Sequence, residues 1–414
     1  MRAGDTAWVL ISAALVLFMT PGLALFYGGM VRAKNVLSVM MQSFVTMGVV
    51  TVLWALGAGS LAFGGDAGGG LIGNLGLAGL NMRTLPGFHG LDVSPLAVMV
   101  FQMMFAIITA ALISVGIVDR VRFSSFVVLI ALWLVVVYAP LAHWVFSPEG
   151  WLAHRGVLDF AGGTVVEINS GFSALAVVLV VGRRRGWPGE AMAPHSVPLS
   201  LLGAGILWFG WFGFNAGSAL GANAVAVHAF VNTQLAAAAG LLGWLVVERV
   251  KEHFPTTLGA ASGAVAGMVA ITPCAGYVDA LASLLIGVVA GVVCALAVRL
   301  KFRLGYDDSL DVLGVHGVGG LIGMVLLGCF ATRSVDPAGA NGLLVGGGLH
   351  FFGVELLAAA VTVVFAFGMT WLLAKAVDAT MGLRVTPEEE WRGLDLVHHA
   401  ESAYSMGGTG RVGS

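Results

Sequence analysis

Apolar runs of about twenty residues or more recur along the chain, separated by charged or Gly/Pro breaks. Runs such as 7–31, 36–63, 123–146 and 346–374 are long enough, at 1.5 Å per helical residue, to cross a hydrocarbon core of about 30 Å. Reading every break in this way predicts eleven helices, near residues 7–31, 36–63, 95–118, 123–146, 160–182, 197–220, 226–248, 257–273, 278–299, 311–331 and 345–375. The expected fold is therefore an all-α integral membrane protein with eleven transmembrane helices.

Composition agrees with that pattern. Of the 414 residues 58% are hydrophobic and 10% charged, with a mean hydropathy of +0.94, whereas a soluble domain carries about 25% charged residues. The first run is too long for the apolar region of a cleavable signal, and Asp5 sits beside Arg2, so it is read as mature protein. The net charge of -2 says little, but its distribution gives an orientation. With the N-terminus outside, 16 of the 20 basic residues fall in inside loops and tail, leaving only Arg2, Arg83, Arg155 and Arg333 outside. The positive-inside bias thus predicts an external N-terminus and a cytoplasmic C-terminus in the cell (inner) membrane, and it requires an odd number of helices.

Five helices per half would invert the second half against the first, so two inverted five-helix repeats plus a C-terminal helix are expected, with a site near the midplane. The domain division is a membrane part at 1–375 and a polar tail at 376–414, expected to be regulatory. Sixty glycines suit close helix packing, and Gly213/Gly217, Gly263/Gly267, Gly287/Gly291 and Gly319/Gly323 have the four-residue spacing. Cys274, Cys294 and Cys329 have no metal or disulfide spacing, and neither a metal nor a cofactor is expected.

Ionisable groups inside a membrane cost at least about 2.5 kcal/mol and need partners or a cavity. Glu167 in the fifth helix and His316 in the tenth are expected to share one near the midplane, as a functional relay or as a structural tie. Asp159 reads as a helix N-cap or as an attractor of cations. Phe101 and Phe105 lie one turn apart on the third helix, and Trp211, Phe214 and Ser218 cluster at the end of the sixth. Aromatic faces attract a cation and a hydroxyl accepts its hydrogen bonds, although core packing explains the same spacing. His143, His350 and Glu355 are read as groups at membrane interfaces.

Taken together these motifs resemble the ammonium transporter family, Amt/Mep/Rh, on its Amt side. The segments that carry the resemblance are ALVLFMTPGLALFYGGMVRAKNVLS from Ala14, FQMMFA from Phe101, LDFAGGTVVEIN from Leu158, GWFGFNAGSA from Gly210, FVNT from Phe230, ITPCAGYV from Ile271, GVHGVGG from Gly314, and GLRVTPEEE with GLD in the tail. The resemblance implies a homotrimer with one pore per subunit and an external recruitment site around Ser218 and Trp211. It implies an aromatic gate of Phe105 and Phe214, support for recruitment from Asp159, and a pore position for His316. The other pore position, usually histidine in the family, is Glu167. The recruitment tryptophan of the family aligns with Phe146, flanked by Trp144 and Trp151.

These readings lead to an expected function, uptake of ammonium, with deprotonation at the outer mouth, passage of ammonia, and proton transfer through Glu167 and His316. An ammonium sensor with the same fold is the alternative, although its appended signalling domain is not expected from the short tail. A trimeric PII-type signal protein is the partner the resemblance implies at the cytoplasmic face, and no nucleic acid is expected. No zinc-protease motif or nucleotide loop speaks for an enzyme, and the aromatic gate speaks against a carrier of larger solutes.

Overall fold

The computed structural model describes residues 2–82 and 92–404, so the expectations placed on Arg83 and on the end of the tail with Arg411 lie outside the described residues. Among the described residues eleven apolar helices cross the molecule: α1 Ala3–Met30, α2 Ala33–Phe63, α3 Pro95–Gly116, α4 Phe123–Phe146, α5 Gly163–Val181, α6 Val197–Gly217, α7 Ala224–Lys251, α8 Thr257–Ile271, α9 Ala280–Leu304, α10 Leu313–Phe330 and α11 Leu349–Met381. Ten are long and apolar enough to span a membrane, and α8, with 15 residues, is shorter. Two short tail helices follow, α12 Pro387–Arg392 and α13 Leu394–His399. Among the described residues the only β contacts are two isolated bridges, Asp66 with Gly73 and Val121 with Arg384.

The chain runs back and forth between two faces, one carrying the N-terminus and the other carrying the tail. Helix α1 packs most extensively on α6, α7 on α8 and α9, and α5 on α11, α3 and α10. Small residues set these crossings. A Cβ on Gly267 would lie 2.1 Å from the Ala236 carbonyl oxygen of α7, and one on Gly291 would lie 2.1 Å from that of Gly240. In each of the four expected glycine pairs at least one member faces a backbone carbonyl of a neighbouring helix. Between α5 and α10 the approach is closest at Gly171, where a Cβ would lie 2.4 Å from the Cα of Gly317. Backbone contact of this kind replaces the hydrophobic drive that lipid does not provide.

Among the described residues four helices contain a π-turn: Trp54–Ala58 in α2, Leu134–Tyr138 in α4, Gly163–Ile168 in α5 and Leu313–Gly317 in α10. Such turns leave the regular hydrogen-bond ladder and gather at functional sites. Two of the four hold the pair singled out from the sequence, Glu167 and His316.

The tail folds back onto the bundle. The Asp395 carboxylate accepts the N–H groups of Leu37 at 3.0 Å and Ser38 at 2.8 Å, capping a helix more than 350 residues earlier in the chain. The Asn35 side-chain oxygen takes the Leu394 N–H at 2.8 Å, and Lys34 donates to the Glu390 carbonyl at 2.9 Å. Helix α11 runs to Met381, past the expected helix end at 375, because Lys375 and Asp378 end the apolar run without ending the helix. His143 and Glu355, read as interfacial groups, are both fully buried within the bundle. Each found a partner inside, His143 at the Ala62 carbonyl, 3.0 Å, and Glu355 at the Leu158 N–H, 2.8 Å. His350 is exposed at the start of α11.

Replacing Gly171 by leucine is expected to overpack the α5–α10 crossing, lowering stability by about 1–3 kcal/mol or more. Gly368 has nothing within 4 Å of its Cβ position, so Gly368→Ala should leave stability unchanged or raise it. Unfolding midpoints in detergent for the two variants would check the contrast.

Candidate functional site

Near the N-terminal face, α3 and α6 bring four aromatic rings together. Phe101 and Phe105 meet edge to face with centroids 4.8 Å apart, Phe105 and Phe214 lie 4.2 Å apart at 34°, and Trp211 sits 5.5 Å from Phe214. Phe105 and Phe214 are 1% exposed, so both rings are packed inside the bundle. The Trp211 indole N–H donates to the Thr272 hydroxyl at 3.0 Å, which fixes its plane. Half-buried Ser218 donates its own hydroxyl proton to the Phe214 carbonyl at 2.8 Å, leaving its lone pairs free to accept from an incoming donor.

Asp159 lies four residues before α5 and closes its first turn. One carboxylate oxygen accepts from the N–H groups of Gly162 and Gly163 at 2.8 and 2.6 Å. The other accepts from the Thr164 N–H at 2.8 Å and from the Thr164 hydroxyl. Gly162, at φ +116°, provides the left-handed turn this loop needs. Every donor that Asp159 faces here is part of its own loop, so the capping geometry is complete.

Beyond the rings, Glu167 and His316 meet. The Glu167 Oε2 and His316 Nδ1 atoms are 2.7 Å apart, with the residues 1% and 3% exposed. His316 Nε2 in turn lies 3.1 Å from the Tyr27 hydroxyl of α1. With Glu167 ionised, His316 Nδ1–H donates to it and Nε2 accepts the Tyr27 proton. Tyr27 was not singled out in the sequence, where it stands in an apolar run. Its position in the resembling segment was the available signal.

A cavity lined by Leu23, Tyr27, Ile108, Phe214, Glu167 and His316 joins the rings to this chain of three groups. It leaves about 10 Å³ for the centre of a water-sized sphere, which is at the lower edge of what one small molecule needs. A second cavity, lined by Phe26, Tyr27, Val265 and Asp311, continues toward the tail face. A wider recess of about 290 Å³ follows there, with Arg32, Asp119, Arg184 and Lys301 around it.

Trp144 and Trp151 pack against other partners. Trp144 packs on Phe365 of α11, centroids 4.5 Å apart, and its N–H bonds the Leu71 carbonyl at 2.7 Å. Trp151 packs edge-on to Trp144, with the Arg155 guanidinium 4.8 Å from its ring. Phe146 is half-buried at the end of α4. All three cysteines are free, and no group of three or more metal-binding side chains occurs among the described residues.

A bundle of apolar helices that holds narrow internal cavities and a buried ionisable pair has the architecture of a membrane transport protein. The model of the Ammonium Transporter Family matches residues 7–404. The chain is 50% identical over 432 aligned positions to an ammonium transporter of Mycobacterium tuberculosis strain H37Rv, covering 97% of this chain and 90% of that one. It is 48% identical to the ammonium transporter Amt1 of Archaeoglobus fulgidus, covering 98% and 100%. Among solved structures it resembles Mep2 of Saccharomyces cerevisiae, with a TM-score of 0.87, 35% identity and coverage of 94% and 89%. A structure described as a sensor Amt protein gives a TM-score of 0.86 at 29% identity, covering 96% and 98%. The chain belongs to the Ammonium Transporter Family and is an ammonium transporter of the membrane.

The Asp159 cap yields a direct expectation. Asp159→Ala leaves buried donors without an acceptor and should cost about 2 kcal/mol or more, whereas Asp159→Asn keeps an acceptor and should cost less. Thermal unfolding of the detergent-solubilised variants would show the order.

Proposed function

We propose that the protein takes up ammonium by collecting NH4+ at an outer mouth, removing a proton there, and passing neutral NH3 along the apolar passage. The observation that carries this reading is the cavity of about 10 Å³ between the Phe105–Phe214 lock and the Glu167–His316 contact. A bare cation in so narrow and apolar a space would forfeit its hydration without equivalent acceptors. Neutral ammonia forfeits far less. Potassium is similar in size to ammonium, but it has no proton to lose, so deprotonation separates the two where a sieve would not.

In this reading the N-terminal face is outside and the tail face is cytoplasmic, in the inner membrane of the cell. Ser218 offers lone pairs to the incoming NH4+, and Trp211, Phe105 and half-buried Phe146 offer ring faces. Asp159 adds a negative charge nearby while holding the α5 turn. Phe105 and Phe214 swing to admit ammonia. The released proton follows Glu167, His316 and Tyr27, whose contacts of 2.7 and 3.1 Å support a relay in series. Net movement is then electrogenic.

The resemblance extends this to a homotrimer with one pore in each subunit, and the exposed apolar groove around Val227, Phe230 and Val231 supports a subunit contact. The docked tail is proposed as the regulatory element, with a PII-type signal protein as its partner. Likeness to a sensor Amt protein supports the second reading, in which the same pore mainly reports ammonium. Proteoliposomes without an ammonium-evoked current would favour that reading.

A carboxylate at the first relay position tolerates a cation better than a neutral imidazole does. Glu167→His is therefore expected to shift the pH dependence of transport and to reduce the potassium current. Solid-supported-membrane currents with ammonium, methylammonium and potassium at several pH values measure both, and an unchanged pH profile with an unchanged potassium current would sink the idea. For the partner, a purified PII protein should be retained by immobilised intact transporter and lost when the tail after Val385 is removed.

A further inference from the structure

Asp308 stands eight residues before His316, the same interval that separates Asp159 from Glu167. Each aspartate accepts the backbone N–H five residues further on at 2.8 Å, Thr164 for Asp159 and Leu313 for Asp308. Each therefore closes the first turn of a helix that opens in a π-turn and carries one partner of the 2.7 Å contact. Because α5 starts at the N-terminal face and α10 at the tail face, the two caps hold the pair from opposite sides.

The two carboxylates differ in how well their charge is matched. Both Asp159 oxygens are filled, whereas Asp308 is 2% exposed and its Oδ1 has no hydrogen-bond partner. The cations around it are already engaged. Arg184 holds Asp307 at 2.8 Å with Arg120 close by, and Lys301 bonds Asp311 at 2.6 Å. Arg184, Lys301, Asp311, Tyr27 and Tyr306 all lie within electrostatic reach of Asp308, beside its neighbour Asp307. Burial first, and the Asp311 charge next, push the Asp308 carboxyl up to about 6.

We propose that Asp308 is the positioning residue for His316, holding the first turn of α10 as Asp159 holds that of α5, and that protonation of its free oxygen loosens this hold. The inference rests on the relay reading of Glu167 and His316. Ionised Asp308 places a negative charge at the start of α10, where the helix dipole favours it, and seats His316 against Glu167. Protonation removes that charge and slows the proton hand-over, so acid at the tail face brakes transport. Stability has the opposite sign. The folded value of about 6 stands above the unfolded value of about 3.9, so unfolding releases a proton and stability falls as pH rises between the two. The fold thus keeps a destabilising charge at neutral pH, as a positioning group for transport would require.

The full-length protein in proteoliposomes tests this through ammonium-evoked currents from about pH 5 to about pH 7.5. The wild type should lose current severalfold on acidification through about pH 6. Asp308→Asn keeps an acceptor for Leu313 and should run at the low acid rate throughout, without that step. Its unfolding midpoint should exceed the wild-type value at neutral pH and equal it in acid. An Asp308→Asn protein that keeps the wild-type step, or whose midpoint falls equally at both pH values, would overturn the proposal. Glu167→Gln, if it left current and pH profile unchanged, would overturn the relay reading instead.

Discussion

The structure turns on the contact between Glu167 and His316, two ionisable side chains brought within 2.7 Å of each other inside an apolar bundle. Neither group is tolerable there alone, because an unpaired charge or polar group in that environment costs several kcal/mol. Their meeting requires α5 and α10 to touch backbone to backbone, which Gly171 and Gly317 allow. It also requires the π-turns that rotate each side chain inward at the start of its helix. The aspartates that close those turns, Asp159 and Asp308, are thus part of the same construction.

Around this contact the polarity is graded. Aromatic and aliphatic side chains line the cavity beside the pair, and the Ser218 hydroxyl bonds the Phe214 carbonyl. The tail face is instead rich in ion pairs, and these connect. Asn35 bridges Leu394 of the tail to Asp119, Arg184 lies between Asp119 and Asp307, and Asp307 adjoins the aspartate that caps α10. A continuous set of polar contacts therefore runs from the folded-back tail to the helix that carries His316. Ion pairs so buried hold geometry more than they add stability.

Much of this was legible in the chain. The apolar runs mark the helices because hydrocarbon thickness sets a length for a spanning element, and ten of the described helices reach it. Glu167 and His316 stood out because charge is so rare in such runs, and the segments that resemble the family located the rings. Helix ends were less legible. Helix α11 continues through Lys375 and Asp378 to Met381, since a helix persists past the point where its side chains turn polar. His143 and Glu355 were read as interfacial by their position in sequence, and their partners are carbonyl and amide groups that the sequence cannot place beside them. Tyr27 looked like one more apolar residue, because a hydroxyl gains meaning only from what stands opposite it.

The sequence by itself determined that this is an eleven-helix membrane protein and which ionisable groups lie within its spans, because both follow from local polarity and length. Its segments were also enough to indicate an ammonium transporter. The tertiary structure decided what those groups do to one another: that Glu167 touches His316, that His316 touches Tyr27, that Asp395 caps a helix at the other end of the chain, and that one oxygen of Asp308 is left unmatched. Those are contacts between residues far apart in sequence, fixed by how glycine-lined helices cross, and no local pattern encodes the angle and depth of a crossing.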